Sequence, residues 1–85
     1  GLINRVVEHR EFSKESSKML NSLIECAPLA LRATKQMIQT GLDALSLEEA
    51  YQKNYPKYDS MLASEDALEG SRAFIEKRKP VWQGK

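Results

Sequence analysis

The sequence holds one histidine, one cysteine and four scattered glycines, and each scarcity closes off a class of chemistry. His9 stands in the charged run Glu8-His9-Arg10-Glu11, which reads as surface without a catalytic role. Cys26 has no partner for an internal disulfide, which points to a reducing compartment such as the cytoplasm. Its place at the end of an apolar helix face reads as a buried, inert thiol. No His, Cys, Asp and Glu group has metal-ligand spacing, and no glycine-rich loop is present to cradle a phosphate. Charge of one sign is also missing: 13 cations stand against 12 anions, whereas a nucleic-acid binder shows a basic excess. No apolar run approaches the ~20 residues of a membrane span. The apolar first seven residues are too short for a signal peptide, and no small-residue cleavage site follows. Neither nucleic acid nor membrane is therefore expected as a partner.

What remains is a helical pattern. Eighty-five residues make one domain with a thin core, burying roughly 60–65% of the surface that the unfolded chain exposes. Phe12, Ser16, Met19, Leu20, Leu23 and Ile24 recur every three or four positions, one face of a first helix. Pro28 ends that pattern and can sit in the first turn of a second helix, with Leu29, Ala30, Ala33, Met37 and Ile38 inward and Gly41 as its stop. Ser46 and Glu49 form a capping box for a third helix, whose apolar side runs from Leu47 to Leu62. Pro56 falls inside that run, so a kink or break is expected between Asn54 and Lys57. Ser64 caps a fourth helix; Glu65 and Asp66 complement its positive end and Lys77, Arg78 and Lys79 its negative end, with Pro80 as the stop. The expected fold class is all-α: a small bundle of about four short helices. The apolar faces are wide and rich in small residues, and are expected to find more partner surface outside the chain than within it.

Gly1 to Val7 differs from the rest. It is short, β-branched and bounded by glycine and charge, a strand signature. No second strand follows to satisfy its backbone groups. Either the segment is irregular, or its partner strands lie upstream. The second reading is adopted, since the chain opens on glycine rather than methionine.

Little here can carry catalysis. The carboxylate pairs Glu48-Glu49 and Glu65-Asp66 are explained by helix starts. The stretch from Glu69 to Gly84 is richer. Gly70 inside a helix costs about 1 kcal/mol relative to alanine, which implies close approach of another backbone or helix. Phe74 and Lys77 are three apart and on helical spacing share a face. A ring beside an ammonium suits a nucleotide, the ring against the base and the cation at a phosphate. From chemistry alone, core packing of Phe74 and the helix dipole at the cations are the stronger explanation of the same residues.

Three blocks resemble the C-terminal part of the crotonase superfamily, the enoyl-CoA hydratase/isomerase family. Gly1-Leu2-Ile3-Asn4-Arg5-Val6-Val7 resembles its last core strand, and Ala27-Pro28-Leu29-Ala30-Leu31-Arg32-Ala33-Thr34-Lys35 the start of its second C-terminal helix. Ser64-Glu65-Asp66-Ala67-Leu68-Glu69-Gly70, followed by Ala73-Phe74-Ile75-Glu76-Lys77-Arg78-Lys79-Pro80, resembles its closing motif. The likeness covers essentially the whole chain, although Pro56 is not a feature of the family's third helix.

The resemblance implies a C-terminal helical domain over residues 1–85, with 1–7 the remnant of a strand of an upstream α/β spiral core and 8–85 helical. In that family two backbone amides of the core hold the thioester oxygen of an acyl-CoA substrate and stabilise an enolate, while core carboxylates move the proton. Those groups have no counterpart here, so no catalytic residue is assigned and the segment alone is expected to be inactive. By position in the closing motif, Phe74 and Lys77 correspond to the aromatic and the lysine that meet the nucleotide end of coenzyme A. The resemblance further implies a homo-oligomer, a trimer or dimer of trimers, with the thioester as substrate and no tightly bound cofactor. In a eukaryote the compartment would be the mitochondrial matrix or the peroxisome. The rival is a free-standing helical oligomerisation module that binds no coenzyme A.

Overall fold

Prolines and serines set the helix boundaries. The computed structural model describes residues 1–85 and contains five α-helices: α1 (Phe12–Ile24), α2 (Pro28–Leu42), α3 (Leu47–Gln52), α4 (Pro56–Leu62) and α5 (Glu65–Ile75). A single 3-10 turn, His9–Glu11, leads into α1. The fold is all-α, as the periodicity predicts. Pro28 takes the first position of α2, where its missing N–H leaves no bond unmade. Ser46 opens α3: its hydroxyl accepts the Glu49 N–H at 3.1 Å, and the Glu49 carboxylate accepts the Leu45 N–H at 2.8 Å. Ser64 both caps and joins. Its hydroxyl accepts the Ala67 N–H at 3.1 Å and donates to the Met61 carbonyl at 2.6 Å, so one side chain links the end of α4 to the start of α5.

At Pro56 the chain breaks rather than kinks, which raises the count from about four helices to five. Lys53 is extended (φ −60°, ψ 147°), and Pro56 becomes the first residue of α4. Side-chain and backbone bonds across the break tie it to α2. Gln36 accepts the Lys57 N–H at 2.9 Å, and the Lys53 ammonium donates to the Thr40 carbonyl at 3.3 Å, in the last turn of α2. The Tyr55 hydroxyl donates to the Ala50 carbonyl. With these bonds α3 and α4 pack on α2, and α5 packs on α4.

Gly1–Val7 forms no strand within this chain, which supplies no partner strand, and is tied to α1 by an Arg5–Glu15 ion pair of 2.6 Å. Three expectations are overturned. Gly41 does not end its helix, because α2 continues through Leu42 and Asp43 follows in right-handed geometry that needs no glycine. The last helix stops at Ile75, before the basic run and before Pro80. The third concerns burial. A compact chain of 9.7 kDa would expose about 5,100 Å² and bury 60–65% of its unfolded surface. This one exposes 7511 Å², so about half is buried.

The shape explains the shortfall. The molecule measures 45 × 40 × 19 Å and has a radius of gyration of 16.3 Å, against ~12 Å for a compact domain of this length. It is a plate about two helices thick. Only Ala33, Ala73, Ser64 and Asp66 are buried, and no large side chain is. The α1 residues Phe12, Met19, Leu20, Leu23 and Ile24 are the apolar face that the spacing predicts, and all are exposed.

Beyond α5 the chain doubles back. The Trp82 ring lies over Gly70, and its indole N–H donates to the Glu25 carbonyl at 2.9 Å, between α1 and α2. A Cβ on Gly70 would sit 3.3 Å from the ring, so the close approach implied by this glycine is to an aromatic side chain, not to a backbone. Overpacking here costs about 1–3 kcal/mol. Gly70→Val is therefore expected to lower the melting temperature and shift Trp82 emission to the red as the ring is expelled. Unshifted emission would contradict the packing.

Candidate functional site

The end of α5 is built as a reversal. Glu76 caps the helix, and Lys77 follows in the left-handed conformation (φ 51°). The Arg78 N–H donates to the Ala73 carbonyl at 3.0 Å and the Lys77 N–H to the Phe74 carbonyl at 3.3 Å. This is a Schellman motif with lysine where glycine is usual. A side chain in that conformation costs about 1–2 kcal/mol. Phe74 and Lys77 therefore do not share a helix face as their spacing predicts, since Lys77 lies outside the helix. They remain neighbours through the backbone bond between them. Both are exposed, Phe74 by 86%.

The charges around this turn are unequally occupied. The Arg78 guanidinium grips Glu69 with two bonds, Nη1 to Oε1 at 2.6 Å and Nη2 to Oε2 at 3.0 Å, and its Nε donates to Glu76 at 2.6 Å. The Lys79 ammonium meets Glu25 at 3.2 Å. Lys77 alone of the three consecutive cations pairs with no carboxylate. Glu69 also accepts the Val81 N–H at 2.8 Å. The Arg78 hydrogen bonds first, and the Val81 N–H second, bring the Glu69 carboxyl from the usual 4.5 down to about 2. The same pairing, with Glu69 first and Glu76 second, raises Arg78 further above its ordinary range.

Asp66 completes the anchor one helical turn earlier. It is 3% exposed, and its two oxygens accept the Gln83 and Gly84 N–H groups at 2.7 and 2.8 Å. Its own N–H donates to the Lys85 carbonyl at 3.1 Å. A residue expected only to complement the dipole thus holds the end of the chain. Glu69, Asp66 and Trp82 were not legible as anchors, because their partners are backbone groups 12 to 57 residues away. His9 and Cys26 lie apart from this site. His9 opens the 3-10 turn and is exposed. Cys26 is exposed rather than buried, because nothing covers the face of α1; its thiol donates to the Ser22 carbonyl at 3.3 Å.

Comparison with known proteins follows the same outline. A family model described as enoyl-CoA hydratase/isomerase matches residues 1–85. A carnitinyl-CoA dehydratase of Escherichia coli (strain SMS-3-5 / SECEC) is 42% identical over 92 residues, covering 100% of this chain and 34% of that protein. The crystal structure of an enoyl-CoA hydratase/isomerase from Mycobacterium paratuberculosis matches with a TM-score of 0.89 at 39% identity, over 100% of this chain and 33% of that one. An enoyl-CoA hydratase from Bacillus anthracis gives a TM-score of 0.89 at 28% identity, with the same coverage. The chain thus spans about a third of the length of the relatives it matches.

The Glu69 clamp has a pH signature. A carboxyl lowered from 4.5 to about 2 contributes stability that is fully present above 4.5 and is lost as the pH falls toward about 2. Glu69→Gln removes the titrating group. The difference in melting temperature between the wild type and this variant is expected to be constant above pH 4.5 and to shrink below it. A difference that persists unchanged toward pH 2 would contradict the pairing.

Proposed function

The chain belongs to the enoyl-CoA hydratase/isomerase family, and on that premise we propose that it is the C-terminal helical segment of an acyl-CoA-processing enzyme. It contributes contacts to the nucleotide end of coenzyme A and contacts between the subunits of a trimer. The enzyme as a whole hydrates or isomerises enoyl-CoA thioesters through an enolate held by an oxyanion hole. That chemistry resides outside these residues, which bind and assemble.

The single observation that carries the coenzyme A reading is the turn at Phe74 and Lys77. Both side chains are exposed, the Lys77 ammonium is unpaired, and the backbone between them is fixed by the Schellman bonds. A ring stacked on a base contributes about 1–3 kcal/mol without reading its identity. An ammonium is a compact charge on a flexible stem and suits a phosphate at a variable angle. The neighbouring cations are occupied by Glu69, Glu76 and Glu25, so phosphate recognition falls to Lys77.

The assembly reading is supported by the uncovered face of α1. Covering Phe12, Met19, Leu20, Leu23 and Ile24, each already partly shielded, would contribute about 1–2 kcal/mol for each side chain. The same face suits the rival reading, an oligomerisation module without coenzyme A, so ligand binding separates the two.

Titration of the chain with coenzyme A, followed by NMR, is expected to shift the Phe74 ring and Lys77 resonances. Lys77→Ala should weaken binding by about tenfold or more, the scale of a hydrogen bond to a charged group. Shifts that bypass this turn, or equal affinity in the variant, would favour the module without coenzyme A.

A further inference from the structure

We propose that Glu69 and Arg78 are positioning residues for Lys77, holding it in the left-handed turn and keeping the neighbouring arginine away from its ligand. This rests on the reading of Lys77 as a phosphate contact.

Lysine is a poor occupant of the left-handed region, so the turn must be held from outside. The two Schellman hydrogen bonds close the helix end but do not reach the residues after Arg78. The outside hold is the clamp. Glu69 lies midway along α5 and faces the returning tail. It takes the Arg78 guanidinium by both oxygens and the Val81 N–H by one of them, so the chain on the far side of Lys77 is fastened at two points. With the Ala73 and Phe74 carbonyls bonded on the near side, Lys77 is the one unpaired charged side chain on a turn fixed at both ends. A planar guanidinium makes this bidentate grip and an ammonium cannot. Arg78 is also the stronger phosphate ligand by geometry, since its fork matches two oxygens at once. Occupied by Glu69 and Glu76, it does not compete with Lys77.

Charge alone and positioning predict opposite signs. Glu69→Ala removes a negative charge near an anionic ligand and releases both Nη groups of Arg78 from Glu69, leaving only the Glu76 pairing, so on charge alone coenzyme A should bind more tightly. Arg78→Lys leaves the net charge unchanged, so on charge alone binding should not move. Positioning predicts several-fold weaker coenzyme A binding in both variants. It also predicts that Lys77 leaves the left-handed region, read from its Cα and Cβ chemical shifts and its amide–Hα coupling. Unchanged α2 and α4 resonances show that the rest of the chain remains folded, and Arg78→Lys serves where Glu69→Ala does not fold. Tighter or equal binding, or a Lys77 backbone that stays left-handed in the folded variants, overturns the proposal. A failure of the coenzyme A reading itself is told apart by Lys77→Ala, which would then bind as the wild type does; the backbone readout still decides whether the clamp holds the turn.

Discussion

Two carboxylates one turn apart on α5 hold the end of this chain in place. Asp66 takes the Gln83 and Gly84 N–H groups; Glu69 takes Arg78 and the Val81 N–H. Each is a charged acceptor on fixed donors, the stronger class of hydrogen bond. The tail they fasten carries Trp82, which lies on Gly70 and bonds to the Glu25 carbonyl. Residues 57 positions apart in sequence are thereby joined. Without that joint, little else would tie the junction of α1 and α2 to α5.

The joint matters because apolar burial does so little here. A helix in a protein draws most of its stability from packing its apolar face, not from its own propensity. In this chain that face is largely open, and the buried apolar residues are two alanines, Ala33 and Ala73. The structure therefore relies on local bonds: serine caps, the Gln36 bond to α4, the Schellman turn and the anchored tail. An arrangement of this kind presents surface rather than enclosing it. It accords with a chain that spans about a third of the length of the relatives it matches.

Features governed by near neighbours were legible in the sequence. Ser46, Ser64 and Pro28 mark helix starts by chemistry within three residues, and Pro56 breaks a helix wherever it falls in the interior. Features governed by distant partners were not. A strand at Gly1–Val7 needs a second strand that these residues do not supply, so its signature goes unpaired here. The end of α5 carries no glycine to announce it; Lys77 takes the left-handed position, closed by backbone bonds to Ala73 and Phe74. Cys26 sits on an apolar face, as its spacing predicts, but a face is buried only when something covers it. The resemblance named Phe74 and Lys77, while Asp66, Glu69 and Arg78, which shape the ground beneath them, emerged only from the fold.

Amide hydrogen exchange along the chain tests the central claim most directly. If bonds around α5 and its tail hold the structure while α1 lacks its partner surface, protection should concentrate in α5 and in the Val81, Gln83 and Gly84 amides. The α1 amides should exchange fastest among the helices. Equal protection of α1 and α5, lost together in one cooperative opening, would contradict the account and show a chain that closes its own core.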